Sequence, residues 1–248
     1  MRPLGNRSDF VPWFYLGISV AGLFCLAALA FWIRPPATDY TWQRPLAYSV
    51  FIVICLLGGV AAISPSRCST CFGPRERGRG PESRPSSNIK PVRRATARVG
   101  HHPDCGEFSS HVLRFGSRSY CAGCTGLFAG AALSILGILG SILIGPPVGD
   151  TASVVFLIGC TGVLAGLFQN ALFRISSSYA RVIVNMFFVF GAFFVLIGTD
   201  VVANNLTLDA LFMALVPCWI MTRMGFSRIE HARVCRACGL DSCALFQM

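Results

Sequence analysis

The sequence predicts an all-α integral membrane protein of about six transmembrane helices, with a cytoplasmic Cys/His-rich knuckle suited to a metal. Three observations carry this expectation. Of the 248 residues, 54% are apolar and only 13% are charged, against about a quarter charged in ordinary soluble proteins. The apolar residues fall in long blocks. Three C-x-x-C pairs and all four histidines lie in the polar segments between or after those blocks. So few charges cannot cover a soluble fold of this size, which excludes a secreted domain and a soluble enzyme.

A crossing helix needs about 20 mostly apolar residues, because roughly 30 Å of hydrocarbon is spanned at 1.5 Å per residue. Residues 11–33, 46–63, 127–144, 152–173 and 182–202 meet or approach that length. The sixth candidate, 206–221, is short and carries Asp209 near one end, so it requires a tilted bundle or a locally thinned bilayer.

Lysine and arginine accumulate in cytoplasmic loops. With the N-terminus inside, the inner segments hold nineteen of the 21 basic residues, and the outer loops hold only Arg34 and Arg44. That alternation supports the short sixth span and puts both termini and the long second loop in the cytoplasm of a cell-membrane protein. The chain then divides into a two-helix hairpin (1–64), a basic linker (65–100), a Cys/His knuckle (101–125), a four-helix membrane region (126–222) and a Cys-rich tail (223–248).

The linker explains most of the net charge of +10. Residues 72–100 contain eight basic residues, four prolines and one aromatic, too little apolar area to offset ordering entropy. Without stacking aromatics it does not suit nucleic acid. It is expected to rest on anionic lipid head groups.

Cys25, Cys55, Cys160 and Cys218 lie within apolar runs, where a thiol behaves as a small hydrophobe, and are expected to be packing residues. The G-x-x-x-G spacings at Gly126–Gly130 and Gly162–Gly166 suit close helix contact in lipid. They are expected to serve packing within one chain, with a homo-oligomer as the alternative use.

The remaining ligands concentrate after the linker: His101, His102, Cys105, His111, then Cys121 and Cys124 at the mouth of the third helix. Zinc takes four tetrahedral nitrogen or sulfur ligands, and a C-x-x-C turn presents two thiolates to one ion. The 18 residues between His102 and Cys121 suit a compact knuckle, and a reducing cytoplasm disfavours a disulfide instead. A second four-thiolate site from Cys68, Cys71, Cys235 and Cys238 would tie the second loop to the tail, with His231 and Cys243 as substitutes. One Zn2+ is therefore expected, and two if the second site forms. Gln169, Asn170 and Asn185 should lie at a depth similar to the thiols, as helix-end or interhelical hydrogen-bonding groups.

The stretch 101–130, with His101-His102, the Cys121-Ala122-Gly123-Cys124 turn and its Gly-rich helix, resembles a family of small prokaryotic multi-pass membrane proteins of no established activity. In that family a Cys-His pair precedes C-x-R-C-x-G at the mouth of a transmembrane helix. The resemblance implies that His101 and His102 take the Cys-His positions and that Cys121 and Cys124 take the paired-thiol positions. This chain departs in having His101 for the first Cys and Gly123 for the Arg.

A structural or metal-sensing zinc protein, more a binding protein than an enzyme, is the leading expectation. The alternatives are a thiol oxidoreductase using Cys121 and Cys124, since a helix N-terminus favours a thiolate, and a metal transporter, whose spans would need more ligands than these contain.

Overall fold

The computed structural model describes residues 7–33, 42–63, 98–99, 102–103, 108–116, 118–145, 150–169, 171–172 and 175–238. Six helices dominate: α1 (Arg7–Trp32), α2 (Gln43–Ile63), α3 (Ala122–Ile144), α4 (Asp150–Phe168), α5 (Ser178–Ala203) and α6 (Leu206–Cys238). All six are long and apolar enough to cross a membrane. Between α2 and α3 lie two short antiparallel pairs, β1 (Arg98–Val99) with β2 (His102–Pro103) and β3 (Val112–Phe115) with β4 (Arg118–Cys121). Most of the basic linker, with Cys68 and Cys71, lies outside the described residues, as do His101, Cys105, Asn170, Cys243 and the last ten residues.

Helix limits differ from the hydropathy expectation by a few residues throughout, and most in three places. The helix α3 starts at Ala122 rather than 127, because strand β4 feeds straight into it with Cys121 as N-cap; Cys121 to Gly126 is too polar for an apolar count to include. The helix α4 stops at Phe168 rather than 173. The sixth helix is not short: α6 runs 33 residues to Cys238. Its apolar run ends near Met221, but backbone hydrogen bonding continues, and Phe226 and Ile229, at helical spacing, still reach the core. The first half of the expected tail is therefore helical.

Helix α5 is the hub, packed between α3 and α4, while α2 lies on α3 and α1 pairs with α6. Lipid supplies no hydrophobic drive for helices to associate, so close approach depends on small residues. Both G-x-x-x-G spacings face α5. A Cβ at Gly130 would stand 2.7 Å from Met186 O, and one at Gly162 would stand 2.8 Å from Phe187 O. On α5 itself Gly191 meets Gly159 and Gly162. These glycines are thus used within the chain. A different contact joins α1 to α6, where Ser19 Oγ and Thr222 Oγ1 lie 2.9 Å apart and Trp13 meets Phe226 edge-on at 5.0 Å.

Antiparallel neighbours α5 and α6 are joined by only Asn204 and Asn205. Asn204 adopts the left-handed conformation (φ 41°) that closes α5, and Asn205 Oδ1 accepts from Thr207 N at 2.9 Å to start α6. Asparagine is one of the few residues that tolerates that backbone. Of the four cysteines in apolar runs, Cys55 and Cys160 are buried in the core as expected. Cys25 instead points outward from α1, where its apolar thiol suits lipid, and Cys218 is half-buried.

Candidate functional site

The starts of α1, α3 and α5 and the ends of α2, α4 and α6 share one face, and the strand pairs sit there. The β3–β4 hairpin pairs Val112 with Cys121 and turns through Gly116 at φ 58°, a backbone that glycine adopts freely. Cys121 therefore ends a strand and caps a helix at once. Its backbone is extended (φ −71°, ψ 124°), and its carbonyl accepts from Thr125 Oγ1 at 2.9 Å. Cys124 follows in the first turn, and both thiols are half-buried. A Cβ at Gly123 would lie 3.9 Å from Cys121 Sγ, so the glycine leaves the space over the first turn open. The positive end of the helix dipole favours anionic sulfur at this position.

Strand β1 lies against β4 and is paired with β2, where Val99 faces His102 across the ladder. The backbone thus brings the His102 strand within one strand of Cys121. Donor chemistry and topology fit a soft or borderline metal: two thiols on one helical turn, with a histidine-bearing strand alongside. Among the described residues, however, no three His, Cys, Asp or Glu side chains stand together as a metal-binding group. His101 and Cys105 lie outside the described residues, and of the proposed second site Cys235 and Cys238 fall at the end of α6 while Cys68 and Cys71 lie outside.

His111 has neighbours on α6 among the described residues. It ends the 3-10 turn Ser109–His111, is 5% exposed, and places Nε2 3.4 Å from Glu230 Oε1, with Ser110 Oγ 3.2 Å from Nδ1. Glu230 in turn receives Arg181 through two bonds of 3.0 Å, while Arg181 Nη2 also donates to Ile175 O at 3.0 Å. The rings of Phe108, His111 and His231 lie 5.4 to 5.7 Å from one another. Together these contacts fasten the strand region to α5 and to the extension of α6.

Deeper on the same side, Arg223 of α6 reaches across the bundle. It donates to Gln169 Oε1 at 3.0 Å, to Gly166 O and to Asn185 Oδ1, and its guanidinium lies 5.2 Å from the Phe188 ring centre. Gly166 belongs to the last turn of α4, whose carbonyls have no partner within the helix and carry the negative end of its dipole. Arg223 therefore caps α4 from another helix. The expectation that Gln169 and Asn185 make interhelical hydrogen bonds is met, and their common partner is Arg223, which in the sequence stands out only as a charge beyond an apolar run. Glu230 stands out little more, yet it carries a signal: it is one of only four glutamates and lies one helical repeat beyond Arg223.

Six apolar spanning helices with a small polar cap on one face define a multi-pass membrane protein. No protein-family model, curated protein or solved structure matches the chain. The resemblance of residues 101–130 accordingly remains one of motif.

Proposed function

We propose that this membrane protein holds one zinc ion at its cytoplasmic surface, bound by Cys121 and Cys124 with further donors from His101, His102 and Cys105, and that the ion anchors or senses rather than catalyses. The observation that carries this reading is the convergence of the two thiols, on the first turn of α3, with the neighbouring β1–β2 pair that bears His102. His111 acts beside the site as a positioning group, since Glu230 and Ser110 approach its two ring nitrogens. A structural metal supplies folding free energy directly, which suits a cap made of strands only two to four residues long. A second zinc at Cys68, Cys71, Cys235 and Cys238 belongs to the same reading. So does the cytoplasmic orientation of this face, supported by the nineteen basic residues that the sequence carries in the segments assigned to the inner side; anionic lipid head groups are then the partners of the linker.

The thiol oxidoreductase is the one competing reading with a specific observation behind it, the N-cap position of Cys121. One experiment separates the two. Protein purified without chelators should contain about one zinc per chain, or about two if the second site is filled. Cys121→Ser and Cys124→Ser should each lose one equivalent, while Cys25→Ser and Cys160→Ser should lose none. Iodoacetamide should modify Cys121 and Cys124 only after a chelator is added. Metal-free protein with rapid alkylation of Cys121, and a mixed disulfide trapped in Cys124→Ser, would establish the redox reading instead.

A further inference from the structure

At the face opposite the thiols, α2, α5 and α6 bring two carboxylates into the bundle, and they are served unequally. Asp200 on α5 has Arg44 Nε 3.1 Å from its carboxylate and Tyr48 OH donating at 2.9 Å. Asp209 on α6, 2% exposed, accepts from the neutral amide of Gln43 at 2.8 Å through Oδ2. Its Oδ1 is closed to solvent and has no hydrogen-bond partner among the described residues.

Among the described residues, the charged and titratable groups facing Asp209 are Asp200 from α5 and Arg44 and Tyr48 from α2; the described end of α1, Phe31 and Trp32, brings none. Arg44, the cation among them, is bonded to Asp200. An ionised carboxylate buried among apolar helices with one neutral donor is costly, and such a group takes a counter-ion or becomes neutral. Oδ1 is closed to solvent, whereas a sodium ion would need several further oxygen ligands around it. A proton needs none.

We propose that Asp209 is a proton-binding site, occupied in this conformation as the neutral carboxylic acid with the proton on Oδ1. Gln43 Nε2 donates to Oδ2 and so marks that oxygen as the carbonyl-like acceptor. Arg44, whose side chain is 44% exposed, marks the side from which protons reach the cluster. When Asp209 gives up its proton, Arg44 is the cation among the described residues that can balance the new charge, in competition with Asp200. Helix α2 packs chiefly on α3 and touches α6 lightly, so the Gln43–Asp209, Arg44–Asp200 and Tyr48–Asp200 contacts, with Phe51 against Phe212, tie it to α5 and α6. Occupancy of Asp209 by a proton thereby contributes to how firmly α2 is docked.

Infrared spectroscopy of the full chain in lipid nanodiscs tests this directly. At neutral pH the unmodified chain should show a protonated-carboxyl C=O band that moves to lower frequency on 13C labelling of aspartate. That band should be lost in Asp209→Asn and kept in Asp200→Asn. The label shift is read on the unmodified sequence, so a variant that fails to fold does not remove the test. Absence of the band, its insensitivity to the aspartate label, or its loss in Asp200→Asn alone would overturn the proposal. So would stabilisation by sodium that Asp209→Asn abolishes, because a metal cation would then be the occupant.

Discussion

Leucine in place of Gly191 is expected to abolish the folded bundle, with a loss of stability of about 3 kcal/mol or more, at or beyond the upper end of what overpacking usually costs. Gly191 lies at a close crossing of α5 and α4. A Cβ there would stand 2.9 Å from Gly159 O, 3.1 Å from Gly162 Cα and 3.1 Å from Val163 N. All three are backbone atoms of a continuous helix, so no rotamer change relieves the clash and the two helices must separate. Because α5 is also the surface on which α3 packs, the separation propagates to the α3 contact. Gly140→Leu is the matching control: nothing lies within 4 Å of a Cβ at that position, and the change should be neutral or slightly stabilising because leucine favours helix more than glycine does. Monodispersity in detergent and thermal unfolding of the two variants, compared side by side, check the prediction. Equal behaviour would mean that α4 and α5 do not pack backbone to backbone at Gly191.

Arg223→Ala is expected to cost about as much for an electrostatic reason. The substitution removes donors from Gly166 O, Gln169 Oε1 and Asn185 Oδ1, and a buried acceptor left unsatisfied costs about 1–3 kcal/mol. It also removes the cation from the C-terminal end of the α4 dipole. Arg223→Lys should recover only part of the loss, because one ammonium cannot reproduce the planar fork that serves three acceptors on two helices. The exposed Arg228 and Arg233 provide the comparison, and alanine at either should change stability by no more than about 0.5 kcal/mol. Denaturant unfolding in mixed micelles would order the four variants. A mild phenotype for Arg223→Ala would show that water or lipid head groups can replace the guanidinium at this depth.

The spans were legible because transfer into hydrocarbon depends on the composition of a contiguous stretch, and five of the six were found from length and hydropathy with limits off by a few residues. The sixth was found but curtailed. Hydropathy ends where Arg223 and Glu230 begin, whereas a helix ends only where its backbone loses hydrogen-bonding partners, and α6 continues to Cys238. The cysteine and histidine density that singled out residues 101–124 was equally plain in the sequence, and so was the C-x-x-C turn at the mouth of α3. The position of His111 was not. Its spacing suited a metal ligand, but Glu230, which lies 3.4 Å from its Nε2, is more than a hundred residues away in the chain.

The sequence by itself determined how many helices are long and apolar enough to cross a membrane, the small residues available for contact and the clustering of soft ligands in the polar segments. These are local properties, fixed by the solvent preference and spacing of neighbouring residues. The tertiary structure alone decided which polar groups meet. Tyr48 and Asp200, 152 residues apart, share a hydrogen bond, as do Arg223 and Gln169 across 54 residues and Arg181 and Glu230 across 49. Each of these groups, taken alone, is a liability in an apolar bundle. Which partner relieves it depends on the helix crossings that the glycines permit, and only the packed structure contains that information.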